Sequence, residues 1–285
     1  MPKTYNELYI ATRNALRDAG IEAYGLEARL LVCAAAEKSR EALLRDLQLY
    51  SSGEIERRLE ALTARRLAGE PAAYVTGRWE FYGLDLRVTR DTLIPRMDTE
   101  VLVDRALELC AGRGDGLRLL DLCTGTGCIG LALLTRLPGS RAVLGDCSPA
   151  ALAVARENAR DLGLEDRAEC VALDVTLLPD PAFGSFDLIV SNPPYVPSGE
   201  LAALDPSVRD FEPALALDGG PEGLDFFRAI LDHHLPLLRR GGWLLFEVGE
   251  DQAGPVTLLL RRAGLRAVGT ARDTLGVERV VYGRK

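Results

Sequence analysis

Apolar residues recur at helical spacing over roughly the first seventy positions and at strand spacing only beyond them. Thr4-x-x-Glu7 is a capping-box pattern, and the helix it opens can run to Gly20, a residue that commonly ends helices. A second helical run covers 26–37, and Ser39 caps a short third helix to about Leu47. Ser51-x-x-Glu54 repeats the capping box before Ile55, Leu59 and Leu62 at helical spacing, with Gly69 and Pro71 as stop signals. Positions 1–72 therefore predict a small helical bundle. Over 73–90 the pattern changes: Tyr74, Val75, Thr76, Trp79, Phe81, Tyr82 and Val88 are aromatic or β-branched, and Gly83 can turn the chain. That composition predicts a β-hairpin linking two domains.

From 91 to 285 helix and strand patterns alternate. A helix leads to about Cys110 with Asp98 as its cap. Strand 117–122 is followed by a Gly-rich turn and a helix to about Leu137, then strand 142–145 and a helix over 149–162. Strands follow at 169–173 and 186–190. After a long irregular section come a helix over 224–238, a strand at 243–248, a helix over 252–263 and strands at 265–268 and 279–282. Alternation of this kind predicts an α/β fold, Rossmann-like, with a mostly parallel sheet and helices on both faces. The section 196–222 is long for a connection in a compact domain, which signals a functional loop or disorder, and its position directly after Tyr195 favours a substrate-covering loop over plain irregular structure.

Composition narrows the possibilities. The chain has 285 residues and a net charge of −8. Residues 1–80 are neutral, with 12 Lys+Arg against 12 Asp+Glu, so the remaining 22 against 30 carry the whole imbalance. That argues against affinity resting on a broad phosphate-binding surface. The longest apolar stretches, such as 30–36, are too short for a bilayer, and the first residues lack an apolar signal core, so a cytoplasmic protein is expected. Six cysteines, Cys33, Cys110, Cys123, Cys128, Cys147 and Cys170, form no CxxC pair, which predicts reduced thiols and no metal. The only histidines are the neighbours His233 and His234, so a Ser-His-Asp or Cys-His mechanism has little to build on. The basic pairs Arg57-Arg58, Arg65-Arg66 and Arg239-Arg240 read as solvated helix faces or last-turn charges.

Two stretches carry chemistry. The first, Asp121-Leu122-Cys123-Thr124-Gly125-Thr126-Gly127, lies between a strand and a helix, where glycines let the backbone approach a ligand closely. Asp146 ends the next strand, about 20 residues on, where a carboxylate can accept hydrogen bonds from both hydroxyls of a ribose. Asp174 ends the third strand and is placed either to contact an adenine amine or to cap a helix. With Gly130 the pattern reads Gly-x-Gly-x-x-Gly, so this stretch alone fits NAD or S-adenosylmethionine.

The second stretch is Ser191-Asn192-Pro193-Pro194-Tyr195. Each proline fixes its own φ and biases the residue before it towards extended backbone, which gives a stiff bend at a strand's carboxyl end. Alone it is equally a rigid turn. It has a clear use in N-methylation and none in hydride transfer. A planar nitrogen is a poor nucleophile because its lone pair is delocalised. Two acceptors aimed at its N–H bonds, the Asn192 side-chain oxygen and the Pro193 carbonyl, hold it and favour lone-pair density towards an electrophile. Pro194 stiffens the bend, and Tyr195 supplies an apolar wall with a polar tip.

The whole chain resembles the bacterial peptide-chain release factor N5-glutamine methyltransferases, the PrmC/HemK family. The matching signatures are Tyr74 to Leu86, Leu93-Ile94-Pro95-Arg96-Met97-Asp98-Thr99-Glu100, Gly125-Thr126-Gly127, the Asn-Pro-Pro-Tyr stretch and Phe211 to Gly220. Asn-Pro-Pro-Tyr is shared with N6-adenine methyltransferases, whereas the Ile-Pro-Arg-x-Asp-Thr-Glu segment is much more specific. The resemblance implies a seven-stranded class I methyltransferase domain over 91–285; the helical bundle over 1–72 reads equally as a substrate-recognition domain or as a stabilising appendage. It implies methylation of the glutamine in a release factor's Gly-Gly-Gln loop by S-adenosylmethionine. On that basis Cys123, Thr124, Gly125, Thr126, Gly127, Asp146, Asp174, Val175 and Asn192 contact the cofactor, and Asn192, Pro193, Pro194 and Tyr195 hold the glutamine, with Asn192 and Pro193 catalytic. Cys123 stands where the family often has glycine, Met97 where it often has proline, and Val175 where an aromatic residue is frequent. The rival activities are an N6-adenine nucleic-acid methyltransferase, which should carry a basic binding surface, and a non-catalytic S-adenosylmethionine-binding protein. Loss of Asn192 or of the glycines would mark the latter, and both are intact.

Overall fold

The computed structural model describes residues 2–114 and 116–285. The chain divides into two compact units. One ends at Arg78 and also takes in Pro206–Phe211; the other comprises Trp79–Asp205 and Glu212–Lys285.

The first unit is helical. In α1 (Tyr5–Asp18) both halves of the capping box form: Thr4 accepts from the Glu7 N–H, and Glu7 accepts from the Thr4 N–H. Next come α2 (Tyr24–Ala36), α3 (Arg40–Arg45), capped by Ser39, and α4 (Gly53–Leu67). The cap of α4 is Ser52, not Ser51: Ser52 accepts from Ile55 N–H, while the buried Ser51 hydroxyl donates to the Lys3 carbonyl at 2.8 Å. Leu8, Leu16, Leu31, Leu43 and Leu59 form the core. Arg65 and Arg66 are not simply solvated. They pair with Glu70 at 2.8 Å and Glu27 at 2.5 Å.

Residues expected to begin the hairpin instead form α5 (Ala72–Thr76). Pro71 supplies its N-cap, Gly77 at φ 73° ends it, and Val75 packs into the helical core, so burial overrides strand propensity. The hairpin itself is shorter, β1 (Arg78–Phe81) and β2 (Leu84–Arg87), turned by Tyr82 at φ 55° and Gly83 at φ 76°. Two successive left-handed residues match the two-residue turn whose twist suits paired strands.

In the second unit, a 3-10 turn, Met97–Thr99, leads into α6 (Glu100–Cys110); Asp98 does not cap it but pairs with Arg279 at 3.4 Å. Then come β3 (Arg118–Leu122), α7 (Cys128–Arg136), β4 (Arg141–Asp146), α8 (Pro149–Asp161), β5 (Ala168–Ala172) and β6 (Phe186–Ser191). The one-turn α9 (Pro206–Arg209) belongs to the first unit. The long helix expected over 224–238 is broken. α10 (Asp225–Ala229) passes into a π turn and then a 3-10 turn containing Pro236, which cannot donate to a continuing helix. β7 (Leu238–Glu247) therefore starts early and includes Arg239 and Arg240, and Arg239 pairs with Asp187 at 2.8 Å. α11 (Ala253–Arg262), β8 (Arg266–Arg272) and β9 (Glu278–Arg284) complete the chain.

The seven strands are ordered β5-β4-β3-β6-β7-β9-β8, with β9 antiparallel to both its neighbours and the rest parallel. Alternate strand residues feed two cores. Leu119, Leu144 and Leu188 face α6 and α7, while Leu120, Val143 and Ile189 join residues of α10 and α11. Among the described residues, no helix is long and apolar enough to cross a membrane.

Candidate active site

The strand order reverses at β3, which lies between β4 and β6, and ligands of open α/β sheets bind outside the carboxyl ends at such a reversal. Leu122 is level with both Gly145 and Ser191, so the Gly-rich turn, Asp146 and Asn192 leave adjacent strands at one level. The Ser191 hydroxyl donates to the Leu122 carbonyl at 2.8 Å and ties two of those ends together.

The turn after β3 passes through three left-handed residues, Cys123 at φ 57°, Gly125 at φ 55° and Gly127 at φ 82°, the last serving as N-cap of α7. Cys123 thus adopts a conformation that favours glycine. Gly130 has a different reason. A Cβ there would sit 2.3 Å from Leu144 Cδ2, so its absence lets α7 lie close on the sheet.

Asp146 has a structural duty the sequence did not disclose. Its Oδ2 accepts from Gly125 N–H and its Oδ1 from Ser148 N–H, both at 2.9 Å, so the carboxylate pins the turn as well as facing the cavity. Burial raises its pKa. Asp121 opens the first chemistry-bearing stretch, where the sequence assigns it no role of its own. It is fully buried, and its Oδ2 accepts from the Thr124 hydroxyl at 2.6 Å and Gly130 N–H at 3.0 Å. Burial pushes its pKa up to about 7, and its Oδ1 has no hydrogen-bond partner among the described residues. Asp174 accepts through one oxygen from Thr176 N–H and hydroxyl, closing a local turn and capping no helix, while still lining the cavity. The carbonyl of the buried Val175 is met by ring nitrogens of His233 and His234 at 3.3 and 3.2 Å. The two histidines therefore support the cavity wall.

The cavity, about 210 Å³, is lined by Cys123, Thr124, Gly125, Thr126, Asp146, Asp174, Val175, Asn192 and Pro194. Gly127, Pro193 and Tyr195 lie outside that lining. Gly127 caps the helix and Pro193 is buried in the bend. The Tyr195 phenol turns away to donate to Glu247 Oε1 at 3.3 Å, and its carbonyl accepts from Gln252 at 2.8 Å. The Asn192 Nδ2 comes within 3.5 Å of Thr99 Oγ1, the outer limit of a hydrogen bond.

Much of the remaining wall comes from segments in which the sequence singled out no individual site residue. Arg90, Thr92, Leu93, Pro95, Arg96 and Thr99 contribute from before α6, and Pro213, Leu215, Ala216 and Phe226 from after β6. The long section 196–222 is structured by 3-10 turns and returns to the bend, with Val196 N–H donating to Leu217 carbonyl at 2.9 Å and Gly219 N–H to Val196 carbonyl at 2.8 Å. Among the described residues, no group of three or more His, Cys, Asp or Glu side chains is arranged to hold a metal ion.

Two family profiles match the chain, "PrmC N-terminal domain" over residues 7–77 and "Methyltransferase small domain" over 98–208. A release factor glutamine methyltransferase of Geobacter sulfurreducens is 41% identical over 96% of this chain and 94% of its own length. One from Caulobacter vibrioides is 39% identical over 100% of this chain and 98% of its own. Among solved structures, the hMettl16 catalytic domain in complex with a MAT2A 3'UTR hairpin is 20% identical. It covers 78% of this chain and 81% of its own at a TM-score of 0.59, a likeness of fold. Identity of this level over the full length, on a fold that ends its strands around one cavity, places this chain in the release factor glutamine methyltransferase family.

Proposed function

We propose that this chain transfers a methyl group from S-adenosylmethionine to the side-chain amide nitrogen, N5, of the glutamine in the Gly-Gly-Gln motif of class 1 peptide-chain release factors. The observation that carries the proposal is a shared cavity: Asn192 lines the same space as the Gly125 turn and Asp146.

The residues present fit that donor. At Gly125 an added Cβ would meet nothing within 4 Å, so the backbone is open to close approach. Asp146 spends one lone pair of each oxygen on the turn and keeps others for ribose hydroxyls. In this reading Cys123 to Gly127 and Asp146 hold the donor, Asp174 and Val175 flank its adenine, and Asn192 stands where donor and substrate meet. S-adenosylmethionine brings a methyl group already activated on a sulfonium.

The chain's own contribution is placement. Asn192 Oδ1 and the Pro193 carbonyl accept the two N–H bonds of the substrate carboxamide and aim its nitrogen. Pro194 and the buried bend keep those acceptors rigid, and Tyr195 acts from outside the cavity by anchoring the bend. Positioning of this kind reaches effective molarities on the order of 10⁵–10⁸ M. The helical part over 1–72 is assigned to recognition of the release factor, with 73–90 as the link and 91–285 as the catalytic domain. The protein acts in the cytoplasm, and neither a membrane nor nucleic acid is among its proposed partners.

The test is mass spectrometry of a purified release factor after incubation with this protein and S-adenosylmethionine. One added methyl on the Gly-Gly-Gln peptide is the expected result. Methyl transfer to nucleic acid alone would overturn the proposal.

A further inference from the structure

We infer that Gln252 is a positioning residue for the amine-holding site: its carboxamide clamps the far end of the bend 192–195 and so fixes where the Pro193 carbonyl points. The inference rests on the reading of Asn192 and Pro193 as the acceptors of the substrate amide. Gln252 stands just before α11 and lies outside the cavity lining. Its Nε2 donates to the Tyr195 carbonyl at 2.8 Å and to the Gly223 carbonyl at 3.1 Å. Its Oε1 accepts from Gly249 N–H, just after β7, at 3.0 Å. Both hydrogens and the oxygen of one carboxamide are thus committed to backbone groups of separate segments. Glycines let those segments close on the bend. A Cβ at Gly223 would lie 2.3 Å from the Tyr195 carbonyl oxygen. One at Gly219 would lie 2.7 Å from Tyr195 Cα and 2.8 Å from the Pro194 carbonyl oxygen.

The bend is held at its start by the sheet, where Ser191 is level with Leu122 on one side and Phe246 on the other. Beyond it, Pro193 and Pro194 each fix their own φ, so few torsions stay soft before Tyr195. Anchoring the Tyr195 carbonyl as well leaves the Pro193 carbonyl, two residues back, little room to swing. Val196 is held by Leu217 and Gly219, but those bonds reach only the neighbouring loop. Gln252 ties both that loop, through Gly223, and the bend to the connection that follows β7. A donor is what this position needs, because two carbonyl oxygens converge on Nε2. Glutamate has the same length and keeps the acceptor for Gly249, but its carboxylate offers the carbonyls no hydrogen. Lysine offers hydrogens and gives up the acceptor.

The experiment measures the single-turnover methylation rate on a purified release factor, and S-adenosylmethionine affinity by calorimetry, for Gln252→Glu, Gln252→Lys and Asn192→Ala. Gln252→Glu should lower the rate by roughly 10–100-fold and leave cofactor affinity unchanged, because misplacing an aligned group by about 1 Å costs rates of that order. Gln252→Lys should keep most of the wild-type rate. A wild-type rate in Gln252→Glu overturns the inference, and so do equal rates in the glutamate and lysine variants. A loss of rate matched by an equal loss of cofactor affinity, the mark of general loosening, also overturns it. Should Gln252→Glu not fold, Gln252→Ala takes its place: a rate below that of Gln252→Lys supports the clamp, and equal rates overturn it. Unchanged turnover in Asn192→Ala would instead overturn the underlying assignment of the acceptors.

Discussion

Glu212 Oε2 accepts a hydrogen bond from the backbone N–H of Ile94 at 3.2 Å, across 118 positions of sequence. Its other oxygen pairs with the Arg96 guanidinium, and the Glu212 side chain is only 1% exposed. Leu93, Pro95 and Arg96 line the cavity on one side of this contact, and Pro213, Leu215 and Ala216 on the other. One carboxylate thus fastens two distant segments into a single wall. Glu212→Ala strands the Ile94 N–H and should cost about 1–3 kcal/mol, whereas Glu212→Gln keeps an acceptor and costs less. Limited proteolysis within 196–222 reads the difference: faster cleavage in the alanine variant is expected, and equal rates in all three proteins would refute the fastening role.

Asn192→Ala should bind S-adenosylmethionine with near-normal affinity and lower turnover by roughly 10²–10³, the usual loss when one aligned polar group leaves a preorganised site. Calorimetry with the cofactor and single-turnover methylation separate the two quantities. Near-normal turnover would remove Asn192 from the amine-holding role.

Asp146→Ala should show the opposite split. It removes both the acceptors offered to the donor and the pins at Gly125 and Ser148. Hydrogen bonds to a charged group are each worth about 1.5–3 kcal/mol, so affinity for S-adenosylmethionine should fall by at least about tenfold. Burial raises the Asp146 pKa, so the wild-type affinity should weaken as pH falls through that raised value. A pH-independent affinity, or a kcat loss with unchanged affinity, would contradict the assignment.

The parts of this site legible in sequence are those with short-range signatures. A strand that runs into Gly125-Thr126-Gly127 and a strand stopped by Pro193-Pro194 both announce themselves by backbone chemistry. Glu212, Thr99 and Glu247 carry no local sign of their role, because each acts through partners far away in the chain. Tyr195 shows the same limit: its place beside Asn192 suggested a cavity wall, yet its ring turns to Glu247, 52 positions on. In the fold, α5 was missed because Tyr74, Val75 and Thr76 have strand propensity, and only the packing of Val75 into a helical core decides otherwise.

Gly130→Ala tests how tightly α7 is seated. The new Cβ would meet Leu144 Cδ2 at 2.3 Å and Asp121 Oδ2 at 3.0 Å, and neither neighbour is a free surface side chain. Overpacking of this kind costs about 1–3 kcal/mol, and the displaced Asp121 would also loosen Thr124. A lower melting temperature together with weaker cofactor binding is expected. A fully stable variant with normal affinity would show that α7 can move away from the sheet freely.

Asp121 makes stability depend on pH in a direction opposite to that of a salt-bridged carboxylate. Its folded pKa is raised to about 7 from an ordinary value of 3.8, because burial opposes the charge more than the Thr124 and Gly130 hydrogen bonds favour it. The folded state therefore holds a proton that the unfolded chain releases between those values. Stability from this group is fully present below about pH 4 and is lost as pH rises through about 7. Glu247, raised to about 7 for the same reason, adds to the trend. Asn at position 121 can still accept from Thr124 and Gly130 while carrying no charge. Asp121→Asn should thus gain stability relative to the wild type between about pH 4 and pH 8, because only the aspartate takes on a buried charge over that range. Urea midpoints across this range measure it. Parallel curves for the two proteins would mean that Asp121 ionises in the fold as readily as it does in water.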